Sequence, residues 1–175
     1  MRHQLRPYLV LCALALSLAC ALLKPLGARA DGGTDATAAT PDPVSTAQPV
    51  RTLQSSQRFG MRVVGYAKKF VGIRYVYGGS SPRSGFDCSG FVRYVYAHFG
   101  VALPHSSYAQ FGDGRRVSRQ SLRPGDLVFF DGLGHVGMYI GNGEFVHAPH
   151  TGTVVQVSSL GGWYANAYVG ARRIL

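Results

Sequence analysis

The order of two hydrophobic patterns along the chain restricts its fold more than any other feature. Apolar residues spaced for a helix occur over Gln57–Val71 and again from Cys88 to Phe99. After the turn sequence Arg123–Asp126 the pattern changes to short segments typical of strands. Because the helices precede the strands instead of alternating with them, we predict an α+β domain with an antiparallel sheet.

Turn and cap residues set the boundaries of the other elements. Gly100 is placed to end the second helix, and Ser106 is a suitable N-cap for a short helix through Phe111. The predicted strands are Leu127–Asp131, His135–Ile140, Glu144–Ala148, Thr153–Val157 and Tyr168–Ile174. We therefore expect N-terminal helices packed on an antiparallel sheet of about five to six strands.

The N-terminus has the pattern of an export signal. Arg2 and Arg6 precede an apolar run over Tyr8–Leu23, and Ala28–Ala30 forms a small-x-small cleavage site. The run is shorter than the ~20 residues that a membrane-spanning helix needs. We therefore predict that residues 1–30 are a signal peptide and that the protein is exported.

Cys20 allows a second interpretation of this segment, as the lipid-modified first residue of a bacterial lipoprotein. Such a signal normally has Leu three residues before the cysteine and a small residue two before it. Here these positions are Ser17 and Leu18. We expect membrane anchoring only if Cys20 is lipidated.

Composition divides the rest of the chain into two parts. Residues 31–50 are small, polar and rich in Thr, Ala and Pro, which predicts a flexible linker. Residues 51–175 are long enough for one compact domain with a core. Once the signal peptide is removed, Cys88 is the only cysteine, so no internal disulfide is expected.

The predicted domain is strongly basic. Residues 51–175 carry 14 Lys and Arg against 5 Asp and Glu, a formal charge of +9. A solvated basic surface is the commonest meaning of such an excess, and attraction to an anionic polymer of the cell envelope is the functional one. Because the charges are scattered and fit no nucleic-acid-binding motif, we expect no nucleic-acid partner.

Cys88 lies at the predicted start of the second helix, directly after Asp87. Asp is a favourable N-cap, and the unpaired N–H groups and dipole of a helix N-terminus stabilise an anion. We therefore predict a depressed pKa for Cys88, which would make it a nucleophile because the thiolate is the attacking form. The alternative is a small buried residue that packs a helix start.

Two histidines in the predicted strands are candidates for the base that a cysteine nucleophile needs. His135 begins a strand after the Gly132–Gly134 turn, and His147 lies inside the next strand. Each could instead be a polar residue that is satisfied at the surface or by the backbone. In the catalytic interpretation, His147 orients the ring of His135 as the third member of a triad does.

The loop between these strands decides whether the histidines share a face. A two-residue Asn142-Gly143 turn would pair His147 with Met138 and separate the histidines. A three-residue loop with Gly143 left-handed in a bulge pairs His147 with Gly137 and brings them together. We predict the second register, because it also gathers the apolar side chains on one face. These are Val136, Met138, Ile140, Val146 and Ala148.

Several motifs occur in an order that is specific to one family. They are Arg74-Tyr75, Gly78-Gly79, Gly85–Val92, Leu103-Pro104, Gly125–Phe129, Gly134–Gly141 and Phe145–Ala148. Together they resemble the NlpC-type cell-wall cysteine peptidases, which have a papain-like fold, from about Arg62 to Leu175. The ending from Tyr168 looks most like the Spr-type murein endopeptidases of Gram-negative bacteria.

The resemblance implies a role for each matching residue in the reaction. Cys88 is the nucleophile, His135 the base and His147 the third polar residue. Tyr75 matches a tyrosine that lines the cleft and assists the oxyanion beside the Cys88 backbone N–H.

The resemblance also covers the surroundings of the nucleophile. Asp87 and Ser89 match residues that flank it near the bound peptide stem. Where the family often has Arg after Leu-Pro, this chain has His105. No HxxxH motif or carboxylate cluster accompanies the histidines, so neither a metal nor another cofactor is expected.

The sequence thus predicts an exported peptidoglycan hydrolase, monomeric and located in the periplasm or cell envelope of a Gram-negative cell or secreted. It would cleave amide bonds in peptide stems or cross-links through a cysteine thiolate and an acyl-enzyme. The resemblance implies a bond between D-alanine and diaminopimelate or between D-glutamate and diaminopimelate. Two alternatives stay open: a non-catalytic cell-wall-binding module, and a secreted effector or acyl-transfer enzyme with the same triad.

Overall fold

The computed structural model describes residues 47–174, which contain four α-helices and eight strands. The helices are α1 (Ala47–Ala67), α2 (Cys88–Ala97), α3 (Ser107–Gln110) and α4 (Gly162–Asn166). The strands are β1 (Ser80–Ser81), β2 (Gly85–Phe86), β3 (Arg115–Val117), β4 (Leu127–Phe130), β5 (His135–Gly141), β6 (Glu144–His147), β7 (Gln156–Ser159) and β8 (Tyr168–Arg173). The predicted signal peptide and most of the predicted linker lie outside the described residues.

Six of the strands form one sheet in the order β3-β8-β4-β5-β6-β7. Every neighbouring pair in this sheet is antiparallel. The short strands β1 and β2 pair with each other immediately before α2, and Phe86 of β2 also forms a parallel bridge with Tyr75. The α+β prediction with an antiparallel sheet of five to six strands is therefore confirmed.

The large sheet separates two groups of buried apolar side chains. One group packs between the sheet and helices α1 and α2, and it contains Val136, Met138, Val146 and Ala148 with Ile140 at its edge. The other face carries a second group that includes Phe130 and Phe145. Because side chains alternate along a strand, the predicted apolar face of β5 and β6 is confirmed.

Helix α1 begins ten residues before the predicted start at Gln57. Its first turns reach the end of the predicted linker, and residues 51–55 are exposed. The first turns of the helix therefore lie outside the core. No apolar pattern in this part of the sequence predicts a helix there. Within residues 47–174, no helix is both long and apolar enough to cross a bilayer.

The segment predicted as a strand over Thr153–Val157 is used in two ways. Its first half binds the loop before β1: the Tyr75 N–H donates to the Thr153 carbonyl at 2.8 Å, and the Val155 N–H donates to Ile73 at 2.7 Å. Only from Gln156 does the chain join the sheet, as β7. The predicted boundaries were wrong because the loop competes for the same backbone groups.

Two pairs of consecutive arginines lie opposite each other on β3 and β8, with Arg115 opposite Arg173 and Arg116 opposite Arg172. Arg173 is buried and donates to both carboxylate oxygens of Asp126, each at 2.6 Å. This ion pair ties β8 to the turn before β4. Part of the basic excess is therefore structural.

Candidate active site

The start of α2 is organised around the Asp87 carboxylate. Asp87 has extended backbone angles, φ −90° and ψ 177°, and its Oδ1 accepts a hydrogen bond from the Gly90 N–H at 2.7 Å. Its Oδ2 accepts from the Gly78 N–H at 2.9 Å, which links the helix start to the preceding loop. Asp87 is therefore the predicted N-cap of the helix, and Cys88 is its first residue.

The half-buried Cys88 thiol lies beside the first residues of β5. The Val136 N–H is a hydrogen-bond donor to its sulfur, so the thiol lies next to the strand that begins at His135. Burial raises the pKa of Cys88, and the Asp87 charge adds to this, while the N–H groups of Val136, Ser89 and Cys88 oppose it. The predicted direction of the pKa shift was wrong, because the cost of burying an anion exceeds what the helix N-terminus contributes.

The β5–β6 hairpin has the predicted pairing between its strands but a different connection. Asn142 and Gly143 form a two-residue turn with φ values of 53° and 73°, closed by the pair Gly141 and Glu144. A β-bulge between Tyr139 and Gly141 then shifts the register. The positive φ of Gly143 is confirmed, whereas the predicted three-residue loop was wrong.

The bulge brings the two histidines together. Beyond it Met138 pairs with Val146, which aligns Gly137 with His147 and places His135 and His147 on one face. A Cβ at Gly137 would lie 2.5 Å from the Phe145 ring and 3.2 Å from the His147 Cβ, so the absence of a side chain there makes room for both rings.

The histidines form a hydrogen-bonded chain that continues to a third strand. His135 Nε2 lies 2.8 Å from His147 Nδ1, and His147 Nε2 lies 2.9 Å from the Ser158 hydroxyl on β7. The Ser158 hydroxyl also hydrogen-bonds Tyr164. Sequence reasoning missed Ser158, because the strand that carries it was placed too early in the chain and serine alone is no signal.

Burial keeps both imidazoles neutral at neutral pH. It lowers the pKa of His135 to about 4, with the nearby Asp131 carboxylate acting in the opposite direction. It lowers the pKa of the fully buried His147 to about 3, and the charges of His135 and His150 lower it further. A neutral imidazole can accept a proton, which is the property that a base requires.

A left-handed turn sets the start of β5. Asp131, Gly132 and Leu133 have consecutive positive φ values of 51°, 56° and 76°. A leucine is rarely found in this region of backbone conformation, so the surrounding structure must hold it there. The Ser107 hydroxyl does so by donating to the Leu133 carbonyl at 2.7 Å.

A cleft of about 400 Å³ opens over Cys88. Four of the predicted site residues line it: Tyr75, Asp87, Cys88 and Ser89. Burial raises the pKa of Tyr75, and the neighbouring Cys88 raises it further, so the phenol stays protonated and can donate a hydrogen bond. The Ser89 hydroxyl donates to Asp87 Oδ1 at 3.1 Å, which makes it a support of the carboxylate.

His105 also lines this cleft, where its Nε2 lies within 3.0 Å of both carboxylate oxygens of Asp87. His98 is exposed and stacks on Tyr66 with ring centroids 3.8 Å apart. Within residues 47–174, no group of three or more His, Cys, Asp or Glu side chains is placed to hold a metal ion.

The Cys88 thiol lies at a helix N-terminus, beside a strand that begins with His135, and His147 holds the His135 ring. This arrangement suits thiol-dependent chemistry on an acyl group. The comparison with protein families agrees with this geometry. Residues 72–173 match the NlpC/P60 family model, and the chain belongs to that family.

Named relatives and a solved structure support the assignment. A Haemophilus influenzae protein named probable endopeptidase NlpC homolog is 43% identical over 72% of this chain and 69% of its own length. The Escherichia coli murein DD-endopeptidase MepH is 42% identical over 60% of this chain and 42% of its own length. The crystal structure of the NlpC/p60 domain of the peptidoglycan hydrolase SagA superposes with a TM-score of 0.58 and 38% identity, covering 65% of this chain and 97% of that domain.

Other relatives are much longer than this chain. The Listeria innocua protein named probable endopeptidase p60 is 42% identical over 58% of this chain, which corresponds to 22% of its own length. The similarity to such proteins is therefore confined to one domain.

Proposed function

We propose that this protein is an exported murein endopeptidase that hydrolyses an amide bond in the peptide stems or cross-links of peptidoglycan. The observation that carries the proposal is the His135–His147 pair, joined at 2.8 Å, whose first member begins the strand that borders the Cys88 thiol. The names of the relatives point to the same substrate class, and a formally +9 domain suits an envelope polymer that carries carboxylates and phosphates.

In this proposal Cys88 attacks as a neutral thiol whose proton is removed during attack. Because its pKa is raised while that of His135 is lowered to about 4, the resting pair is thiol and imidazole. Attack forms the S–C bond as His135 Nδ1 takes the thiol proton. The imidazolium then gives this proton to the departing amine as the C–N bond breaks, which leaves a thioester.

Water then hydrolyses the thioester, with the proton transfers in the reverse order. His135 takes a proton from the water that attacks the thioester, and it returns this proton to the sulfur as the C–S bond breaks. Each turn therefore consumes one water and restores both groups to the neutral form.

The hydrogen-bonded chain fixes the tautomer that this cycle needs. If Nδ1 of His135 accepts the thiol proton, Nε2 carries the hydrogen and donates to His147 Nδ1. His147 then donates through Nε2 to the Ser158 hydroxyl, which in turn donates to Tyr164. His147 thereby orients His135 and stabilises the imidazolium, as the third member of a triad does.

The oxyanion of the tetrahedral intermediate would lie at the start of α2. The Cys88 backbone N–H belongs to the unpaired groups of the helix N-terminus, and the protonated Tyr75 phenol borders the same cleft. We assign these two donors to the oxyanion, and we place Asp87 and Ser89 beside the bound peptide stem.

The proposed domain organisation is a signal peptide over residues 1–30, a linker over 31–50 and the peptidase domain over 51–175. The mass of the mature protein tests it, because cleavage after Ala30 and acylation of Cys20 give different N-terminal masses. We place the mature protein, as a monomer, in the periplasm or cell envelope of a Gram-negative cell.

Digestion of purified muropeptides by the full-length protein, with mass analysis of the products, tests the activity. We expect cleavage next to diaminopimelate, and the product masses distinguish D-alanyl from D-glutamyl bonds. Cys88→Ala provides the matched control. Undigested muropeptides with a folded protein and an intact, alkylatable thiol would contradict the proposal.

A further inference from the structure

A pocket of about 370 Å³ lies at the edge of the sheet, where β3 pairs with β8. It is lined by residues 116–119 and 168–171. It shares no lining residue with the cleft over Cys88, and β8 and β4 separate β3 from β5 in the sheet. The pocket is therefore separate from the candidate active site, and its residues have no part in the proposed reaction.

The Arg119 guanidinium is held on one wall of this pocket. It lies over the Tyr168 ring, 5.2 Å from the ring centroid, and it donates to the Leu160 carbonyl at 2.7 Å. A guanidinium has five N–H donors in a planar fork, so most of them remain for another group. Charges on an edge strand discourage pairing with another chain, but Arg119 lies beyond the end of β3 and needs a different explanation.

Arg116 brings a second positive charge to the same pocket. It is exposed and lies opposite Arg172 on β8. Burial lowers the pKa of Arg172, and the charge of Arg116 lowers it further, so the two guanidinium groups repel each other. Among the described residues, the ion pairs involve only His105 and Arg173. No carboxylate of that part of the chain therefore neutralises the arginines of the pocket, and a bound anion would do so.

The cleft over the nucleophile has the opposite character. Asp87 lines it, whereas none of its described lining residues is a lysine or an arginine. A polymer that carries carboxylates therefore meets a fixed negative charge in the cleft and no permanent cation there. The cations that attract such a polymer have to lie elsewhere on the domain, and the pocket at the sheet edge provides two of them.

We propose that this pocket binds a carboxylate of a peptide stem next to the one that is cut, and that it thereby holds the protein on polymeric peptidoglycan. Two guanidinium groups suit a carboxylate, and the side chains of Val117 and Val169 offer an apolar wall for a small residue such as alanine. A second contact on the same polymer raises the overall affinity without any change in the cleft. The inference rests on the proposed function, since peptidoglycan is the source of the carboxylates.

Binding to purified sacculi tests the pocket without hydrolysis. The full chain carrying Cys88→Ala is mixed with sacculi at low ionic strength, and sedimentation measures the bound fraction. Arg116→Gln combined with Arg119→Gln, the pocket variant, should raise the apparent Kd about tenfold, the size expected for the loss of two partly exposed ionic contacts.

Arg93→Gln combined with Arg115→Gln is the matched control. Both of these arginines are exposed and lie outside the lining of the pocket, and their loss changes the net charge by the same amount. We expect the control variant to bind sacculi as the unsubstituted chain does. An equal loss of binding in the pocket and control variants would overturn the proposal, because net charge alone would then explain it. If the pocket variant does not fold by circular dichroism, Arg116→Gln against Arg115→Gln decides.

The chemistry of the ligand needs its own comparison. Sacculi whose carboxylates have been converted to amides should bind the pocket and control variants alike. A pocket variant that still binds these amidated sacculi more weakly than the control would overturn the assignment to a carboxylate. Vesicles of phosphatidylglycerol test the other anion of the envelope. A loss of binding in the pocket variant on vesicles but not on sacculi would overturn the proposal in favour of a phosphate-bearing membrane.

Hydrolysis separates this inference from the proposed function. With Cys88 intact, the pocket variant should raise KM for polymeric peptidoglycan about tenfold relative to its effect on KM for the smallest soluble muropeptide that is cleaved. If the wild type cleaves no muropeptide but the pocket variant loses binding to sacculi, the proposed function fails and the pocket stands. If muropeptides are cleaved and the pocket variant binds sacculi as the control does, the pocket fails and the proposed function stands.

Discussion

The helix start that carries Cys88 and the hairpin that carries the histidines position their side chains by different means. At the helix start, Asp87 binds Gly90, Ser89 and Gly78, all within ten residues of it in the chain. In the hairpin, His135 and His147 meet only because a bulge near the turn sets the register of two strands. The first arrangement depends mainly on hydrogen bonds within a short stretch of chain, to which His105 adds one more distant partner of Asp87, whereas the second depends on how strands align.

The helix start and the hairpin therefore differ in what a mutation can disturb. A change at the helix start removes a nearby hydrogen bond and leaves the sheet intact. A change in the hairpin can move every following side chain to the other face, because side chains alternate along a strand. We therefore expect hairpin variants to link stability and activity more closely than helix-start variants do.

The largest expected effect belongs to the two groups that are proposed to react. Cys88→Ala and His135→Ala should each lower hydrolysis of muropeptides by more than about 10⁴-fold, because neither step of the cycle proceeds without them. The Cys88 side chain lines the cleft, so the thermal unfolding of Cys88→Ala should stay close to that of the wild type. The same measurement checks that His135→Ala remains folded. Wild-type rates in either variant would remove the mechanism.

His147→Ala should cost about a hundredfold less than the loss of Cys88, because the proposed role of His147 is to orient the base and not to react. His147→Gln should retain part of the rate, since its amide can still bind both His135 and Ser158. Single-turnover rates at saturating substrate separate this effect from binding. Full activity in His147→Ala would reduce this residue to a structural role.

Acid should destabilise the protein through the two buried histidines of the hairpin. The pKa values of His135 and His147 are lowered from 6.5 to about 4 and about 3, so the unfolded chain binds more protons than the native protein once the pH falls below 6.5. Their contribution to stability is complete above that pH and decreases as the pH falls toward 4 and 3. Denaturant unfolding between pH 7 and 4 measures the loss, and a His147→Gln variant should lose less over the same range.

The smallest expected effect concerns two glycines that have positive φ values. Gly143 in the hairpin turn and Gly100 after α2 have φ values of 73° and 78°, and a Cβ at either would meet no atom within 4 Å. Valine at either position should therefore cost about 1–2 kcal/mol of unfolding free energy. Only Gly143→Val should also lower activity, by disturbing the turn before the bulge. Equal activity in both variants would show that the register tolerates a strained turn.

In the hairpin, the prediction from the sequence was correct about which residues share a face but wrong about the loop that connects the strands. The apolar pattern of Val136, Met138 and Val146 was enough to predict which residues share a face, because only one register buries them together. It could not distinguish a three-residue loop from a two-residue turn followed by a bulge. Both give the same pairing beyond Tyr139, so the pattern contains no information about the choice.

The α+β order and the N-cap at Asp87 follow from residue types and spacings that act over a few positions, and the shared face of the histidines was predictable from the apolar pattern of two paired strands. Three features were decided only by the tertiary structure: the raised pKa of Cys88, the Ser158 hydroxyl behind His147, and the contact of His105 with Asp87. Each depends on which distant segments enclose a group. Burial and long-range hydrogen bonds are properties of the packed chain, so no periodic pattern in the sequence indicates them.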